Sequence, residues 1–105
     1  MQAWVADHLD EDLSVERLAQ RAAMSTRNFS RTFRRQIGVT PARFVERARV
    51  EGARRLLEES SASVDEVAAR CGFGTAETMR RTFLRSMHVT PTDYRRRFRI
   101  EEESA

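Results

Sequence analysis

Two stretches hold the residues whose types and spacing could do chemistry. In "MSTRNFSRTFRR", from Met24 to Arg35, Arg27, Ser30, Arg31 and Arg34 stand three and four residues apart. In "FGTAETMRRTFLRS", from Phe73 to Ser86, Glu77, Arg80 and Arg81 take the matching spacing. On a helix such residues share one face. A guanidinium there can hold guanine O6 and N7 through two parallel hydrogen bonds, serine can serve several bases, and glutamate can accept from cytosine N4. The chemistry is recognition of base edges, not bond-making. Further along, Arg34, Arg35, Arg43 and Arg85 suit phosphate oxygens. Each has a plainer alternative: Glu77 in a first helical turn also answers the macrodipole, and Arg31 and Arg81 could be solvated or ion-paired within the chain.

Catalysis is not expected. His8 and His88 lie eighty residues apart, Cys71 is the only cysteine, and no metal-ligand spacing occurs. Gly72 and Gly74 belong to a turn, not to a phosphate-cradling loop. With 40 % apolar residues in a chain of 105, the core is too small to enclose a substrate pocket. No cofactor is called for. Cys71 aligns with Ala22 in an internal repeat described below, so it reads as a buried structural thiol in preference to a redox sensor.

Charge is arranged in blocks. Between Arg17 and Arg55 eleven arginines face only Glu46 and Glu51, a net +9, and between Arg70 and Arg99 eight face Glu77 and Asp93, a net +6. Acids gather in residues 1–16, in 56–69 and in the terminal "EEES". Lysine is absent, which GC-rich codon usage explains, but the blocks themselves predict two anion-binding surfaces. "YRRRFR", from Tyr94 to Arg99, is either a phosphate contact or a solvated cluster. A charged fraction of 33 %, no long apolar run and an acidic, amphipathic beginning, "MQAWVADHLDEDL", read as a soluble cytoplasmic protein, and one cysteine suits a reducing compartment.

The elements that must position these residues are all helical. A first helix over about residues 2–11 puts Trp4, Val5, His8 and Leu9 on one side, with His8 packed near Trp4. Ser14 caps a second helix with Leu18, Ala19 and Ala22, and Ser25 caps a third with Phe29 and Phe33. Gly38 ends it, Thr40 and Pro41 open a long helix to Glu59, and Ser63 with Glu66 forms a capping box. Thr75 caps a sixth helix, and Thr90 with Pro91 starts a seventh. The chain divides into a first subdomain at 1–40, a linker helix at 41–59, a second subdomain at 60–100 and a disordered tail at 101–105.

The subdomains repeat each other. Shifted by 50, residues 26–41 match 76–91 at seven of sixteen positions, among them Arg31/Arg81, Phe33/Phe83 and Pro41/Pro91. Upstream the register is 49, pairing Ser14/Ser63 and Ala19/Ala68, so one extra residue sits in "GFGT". Helix, short turn and helix, twice, is the motif that lays its second helix in a major groove. A linker helix over 41–59 spans about 28 Å, near the roughly 34 Å between successive major grooves on one face, and a bend in the DNA relieves the difference. Arginine-faced recognition helices have no purpose in a pure protein-interaction module, and the RNA major groove is too narrow for them.

At these residues the sequence resembles a known family. "LAQRAAMSTRNFSRTFRRQIGVTPARFVERARVEGARRLLE" with "SVDEVAARCGFGTAETMRRTFLRSMHVTPTDYRRRF" is similar to the carboxy-terminal DNA-binding domain of AraC/XylS-type transcription regulators, over about Trp4 to Phe98. The resemblance implies seven helices and one asymmetric double-stranded site read across adjacent major grooves, activating or repressing transcription. It implies base readers at Arg27, Ser30 and Arg31 and at Glu77, Arg80 and Arg81. The second unit is most similar to members with an amino-terminal amidotransferase-like domain. Met1 stands just before the first helix, which suggests an excised domain whose missing part senses an effector and dimerises; RNA polymerase is a further expected partner. Two positions depart from the family pattern: His88 replaces the glycine seen at Gly38, so that helix end must be capped differently or strained, and Ala23 replaces a turn glycine.

Overall fold

Hydroxyl side chains decide where the helices begin. Ser25 and Thr40 accept from the backbone N–H groups of Asn28 and Arg43 at 3.2 Å each. Ser63 and Thr75 accept from Glu66 and Thr78 at 3.1 Å each, and Thr90 from Asp93 at 3.2 Å. Ser14 does the same, at 3.4 Å, for Arg17. Each such cap satisfies a donor that the helix itself leaves unpaired and contributes about 1 kcal/mol.

The computed structural model describes residues 1–104, in which there are seven helices: α1 Gln2–Asp7, which has no side-chain cap, and six that follow these signals, α2 Val15–Arg21, α3 Thr26–Ile37, α4 Pro41–Glu59, α5 Val64–Arg70, α6 Ala76–Met87 and α7 Pro91–Ser104. The fold is all-α, with no strand among the described residues. Helix α1 is shorter than the spacing predicts. It stops because His8 leaves helical geometry, at φ −133° and ψ 36°, and turns its Nδ1 onto the Trp4 carbonyl at 2.7 Å. Helix α7 runs to Ser104 where the sequence suggests a disordered tail, since no glycine or proline follows Arg99 to stop it. Of that tail, Ala105 lies outside the described residues.

Two apolar clusters share helix α4. Val5, Leu13, Leu18, Ala19, Phe29 and Phe33 close on Val45, with Phe44 and Ala48 half-buried beside them. Val67, Ala68, Cys71, Met79 and Phe83 close on Val50, Ala53 and Leu57. The first half of α4 thus walls one core and the second half the other. The recognition-type helices are held by the same contact in each: Phe33 meets Phe44 edge to face at 5.4 Å, and Phe83 meets Tyr94 edge to face at 5.6 Å. The body is elongated, 49 × 23 × 22 Å.

The repeat extends to backbone conformation. Ala23 and Gly72, equivalent in the two units, both have positive φ, 57° and 83°. Gly38 and His88 likewise end α3 and α6 in the left-handed region, at 92° and 60°. His88 therefore takes the strained conformation and not an alternative cap, donating its N–H to the Leu84 carbonyl at 2.8 Å.

Three outcomes follow from this packing. His88→Gly, relieving a left-handed histidine, should raise stability by about 0.5–1 kcal/mol after the entropy of the unfolded glycine is counted, read as a higher denaturant midpoint at constant slope. Phe83→Ala, deleting a side chain with 0 % exposure, should cost about 3–5 kcal/mol in the same titration. Burial pushes the Cys71 thiol up to about 11, so a thiol reagent at neutral pH should leave the folded chain unmodified and label it fully in denaturant.

Candidate nucleic-acid interface

Helices α3 and α6 present the sequence-derived candidates as two separate outward faces. In α3, Phe29 and Phe33 are buried while Arg27, Arg31, Arg34 and Arg35 are exposed and Ser30 is half-buried between them. In α6, Met79 and Phe83 are buried while Glu77, Arg80, Arg81 and Arg85 are exposed. Residues 27, 30 and 31, like 77, 80 and 81, occupy the first turns of their helices, the part that reaches base edges when such a helix enters a major groove. Glu77 follows the Thr75 cap in the first turn of α6, a position that suits a carboxylate on dipole grounds as well.

The arginines of these faces are largely free of internal partners. Among the described residues, no carboxylate lies within ion-pair distance of Arg27, Arg31, Arg34, Arg35, Arg80 or Arg81. Arg31 has only a long 3.5 Å hydrogen bond to the Asn28 Oδ1 atom, one turn back. The intramolecular ion pairs open to Arg31 and Arg81 on sequence grounds are thus absent. Guanidinium groups on a helix face gain little from surface ion pairs but keep all five donors for an anionic ligand.

Arg43 and Arg85 differ. Both reach Glu46 on α4, at 3.7 Å and 3.2 Å, so one carboxylate draws the two together. The Arg43 pairing is foreshadowed by its place three residues before Glu46; the contact from Arg85 crosses between helices and has no sequence signal.

Several arginines that the charge blocks counted toward anion binding are engaged within the chain instead. Arg95, in "YRRRFR", donates from Nε to the Leu57 carbonyl at 3.1 Å and from Nη2 to the Ser60 carbonyl at 3.3 Å. It closes the carboxyl end of α4, satisfying carbonyls that the helix leaves open. Arg54 bridges Glu51 and Glu58, and Glu58 also accepts from the Tyr94 hydroxyl. The Arg54 hydrogen bond holds Glu51 below the usual carboxylate range, and burial followed by the Glu58 contact pushes the Tyr94 hydroxyl up. Arg49 donates from Nε to the Leu9 carbonyl at 3.3 Å and from Nη2 to the Glu11 carbonyl at 3.0 Å. Arg21 lies over the Trp4 ring, which stacks on His8 at 4.2 Å. Sequence spacing marks none of the long-range pairs, because composition cannot tell an arginine that binds carbonyls from one that binds phosphate.

Among the described residues no group of His, Cys, Asp and Glu could hold a metal ion, and no helix is long and apolar enough to cross a membrane.

Comparison with known proteins agrees with this geometry. Residues 18–97 match a protein-family model described as a helix-turn-helix domain. The chain is 56 % identical over 84 residues to the HTH-type transcriptional regulator Rv1931c of Mycobacterium tuberculosis, covering 80 % of this chain and 32 % of that protein. It is 37 % identical over 93 residues to the HTH-type transcriptional activator RhaS of Escherichia coli, covering 89 % of this chain and 34 % of the relative. The chain thus spans about a third of the length of these relatives. Among solved structures it superimposes on the DNA-binding domain of AdpA, a global transcriptional factor crystallised with a target DNA, with a TM-score of 0.93 and 44 % identity over 98 % of this chain and 93 % of that one. The carboxy-terminal domain of the response regulator AraT from Geobacillus stearothermophilus follows at TM-score 0.86 and 27 % identity, over 90 % of this chain and 79 % of that one. Two helix–turn–helix units on a shared helix, a family match across most of the chain and relatives that are transcription regulators place this chain in the AraC-type helix-turn-helix family.

Proposed function

We propose that this chain is the DNA-reading part of a transcription regulator and lays α3 and α6 into adjacent major grooves on one face of a duplex. The observation that carries the proposal is the pair of equivalently anchored helices, each turning exposed and internally unpaired arginines outward. The 49 Å length of the body accommodates two helices, each about 10 Å across, at a groove repeat of about 34 Å. Likeness to the AdpA domain, which was solved on DNA, supports the same reading.

In this reading Arg27, Ser30 and Arg31 meet base edges in one groove, and Glu77, Arg80 and Arg81 in the next. Arg34 and Arg35 grip phosphates. Glu46 holds Arg43 and Arg85 side by side, and the trio keeps one net positive charge for a further phosphate. The two faces differ in residue type, so the operator is asymmetric. The two halves, 1–40 and 60–100, act as separate readers joined through 41–59.

The curated relatives are about three times as long as the matched region. An additional effector-sensing and dimerising domain, of the amidotransferase-like kind that the second unit resembles, belongs to the same proposal. So do contact with RNA polymerase and residence in the cytoplasm.

Arg31→Ala and Arg81→Ala should each cost about 1–3 kcal/mol in binding and relax base preference in one half of the site only. A uniform loss on every duplex would make them phosphate contacts. The logarithm of affinity should fall with the logarithm of salt at about 0.9 per neutralised phosphate, and a flat dependence would contradict the electrostatic half of the proposal.

A further inference from the structure

The loop between α1 and α2 joins the two reading units, and its geometry is unusually tight. Leu9 packs with the first core, yet it also touches Gly52 on α4: a Cβ at Gly52 would stand 2.6 Å from Leu9 Cδ1 and 3.5 Å from the Cys71 sulfur of the second unit. A Cβ at Gly72 would stand 1.9 Å from the Leu9 carbonyl oxygen and 2.7 Å from Arg49 Nε. The same carbonyl accepts from Arg49 Nε, and the Glu11 carbonyl from Arg49 Nη2. One backbone segment of the first unit is therefore wedged between the linker helix and the turn of the second unit, with a half-buried guanidinium across it.

The internal repeat offers an independent observation. Ala23 and Gly72 are equivalent and both have positive φ, yet the first unit carries alanine there. Ala23 is exposed, so a left-handed residue with a side chain is accepted at that turn. At Gly72 φ is likewise positive, and what sets the position apart is the Leu9 carbonyl against its α-carbon. Glycine is required at 72 by a contact between units, over and above the turn itself.

We propose that Arg49, with the Leu9 carbonyl and Gly72, forms a latch that fixes the angle and separation of the two recognition helices, making Arg49 a positioning residue for the spacing of the two half-sites. Its functional consequence rests on the bipartite DNA reading given above. One inserted base pair moves a half-site by about 3.4 Å along the axis and about 35° around it. A rigid pair of readers rejects that change. A loosened pair accepts it, because effective concentration then varies gently with separation.

The test uses Arg49→Met, which keeps the aliphatic stem and removes both donors. Affinities are measured for the preferred duplex, for duplexes with one base pair inserted or removed between the half-sites, and for each half-site alone. The folded state of each variant is verified by its melting curve. The parent chain should discriminate between spacings by about tenfold or more, and Arg49→Met by less than about threefold, with half-site affinities and salt slope unchanged. A second readout needs no DNA. Spin labels at Glu16→Cys and Asp65→Cys, equivalent exposed positions on α2 and α5, should give one narrow distance distribution in the parent and a broadened one in Arg49→Met. Should Arg49→Met not fold, Arg49→Lys keeps the charge, gives up the two-point geometry and carries the same comparison. An equal loss on all spacings with a shallower salt slope would make Arg49 a phosphate contact and overturn the latch. An unchanged spacing preference with an unchanged distance distribution would overturn it as well. If the parent prefers no bipartite duplex, the DNA reading fails, and the distance distribution alone decides whether the latch exists.

Discussion

A single helix of 19 residues has to serve as a wall for two cores, and the rest of the molecule depends on that sharing. Neither unit could bury its apolar face alone: α2 and α3, like α5 and α6, offer a few phenylalanine, leucine and alanine side chains that need a third helix to close on. Helix α4 gives Val45 to one and Val50, Ala53 and Leu57 to the other. The offset between the two reading faces is therefore built into the fold and not left to a flexible linker. Arg95 and the Tyr94–Glu58–Arg54 network fasten the carboxyl end of the same helix, so basic residues that could have sought anions are committed to its integrity.

The duplication explains both the likeness and the differences between the halves. Each recognition-type helix is held by an edge-to-face aromatic pair, with Phe44 of α4 and Tyr94 of α7 in equivalent roles. At the two left-handed positions that the repeat shares, Ala23/Gly72 and Gly38/His88, each unit has one glycine and one strained non-glycine, in opposite order, and Gly74 adds a third positive φ in the longer turn of the second unit. At Gly38 an added Cβ meets nothing within 4 Å, and the equivalent His88 is accordingly tolerated at the cost of backbone strain alone. At Gly72 an added Cβ meets a carbonyl oxygen, and no other residue fits. The Gly38/His88 difference is internal to each unit, whereas the Ala23/Gly72 difference coincides with a contact between the units.

Much of the fold is legible in the sequence because its signals are local. Ser14, Ser25, Thr40, Ser63, Thr75 and Thr90 act as caps where their spacing predicts, and Phe29, Phe33, Met79 and Phe83 are buried as their periodicity requires. The end of α1 is less legible, since His8 breaks the helix through a hydrogen bond to its own Trp4 carbonyl. Of the candidate site, the exposure of Arg27, Arg31, Arg80 and Arg81 follows from the position of the anchors. What stays hidden is every contact between distant segments. Arg49 on the loop carbonyls, Arg95 on the end of α4 and Arg85 on Glu46 span about forty residues of chain in each case, and an arginine in a basic block looks the same whichever partner it meets.

In the proposed reading, two different helix faces sharing α4 read one duplex. Selection of binding sites from a random duplex library by this chain, at moderate salt, tests it most directly. Two unlike short half-sites whose centres lie about one helical turn apart should be enriched. Strong binding without enrichment of any sequence, or enrichment of a single half-site with no fixed second element, would contradict it.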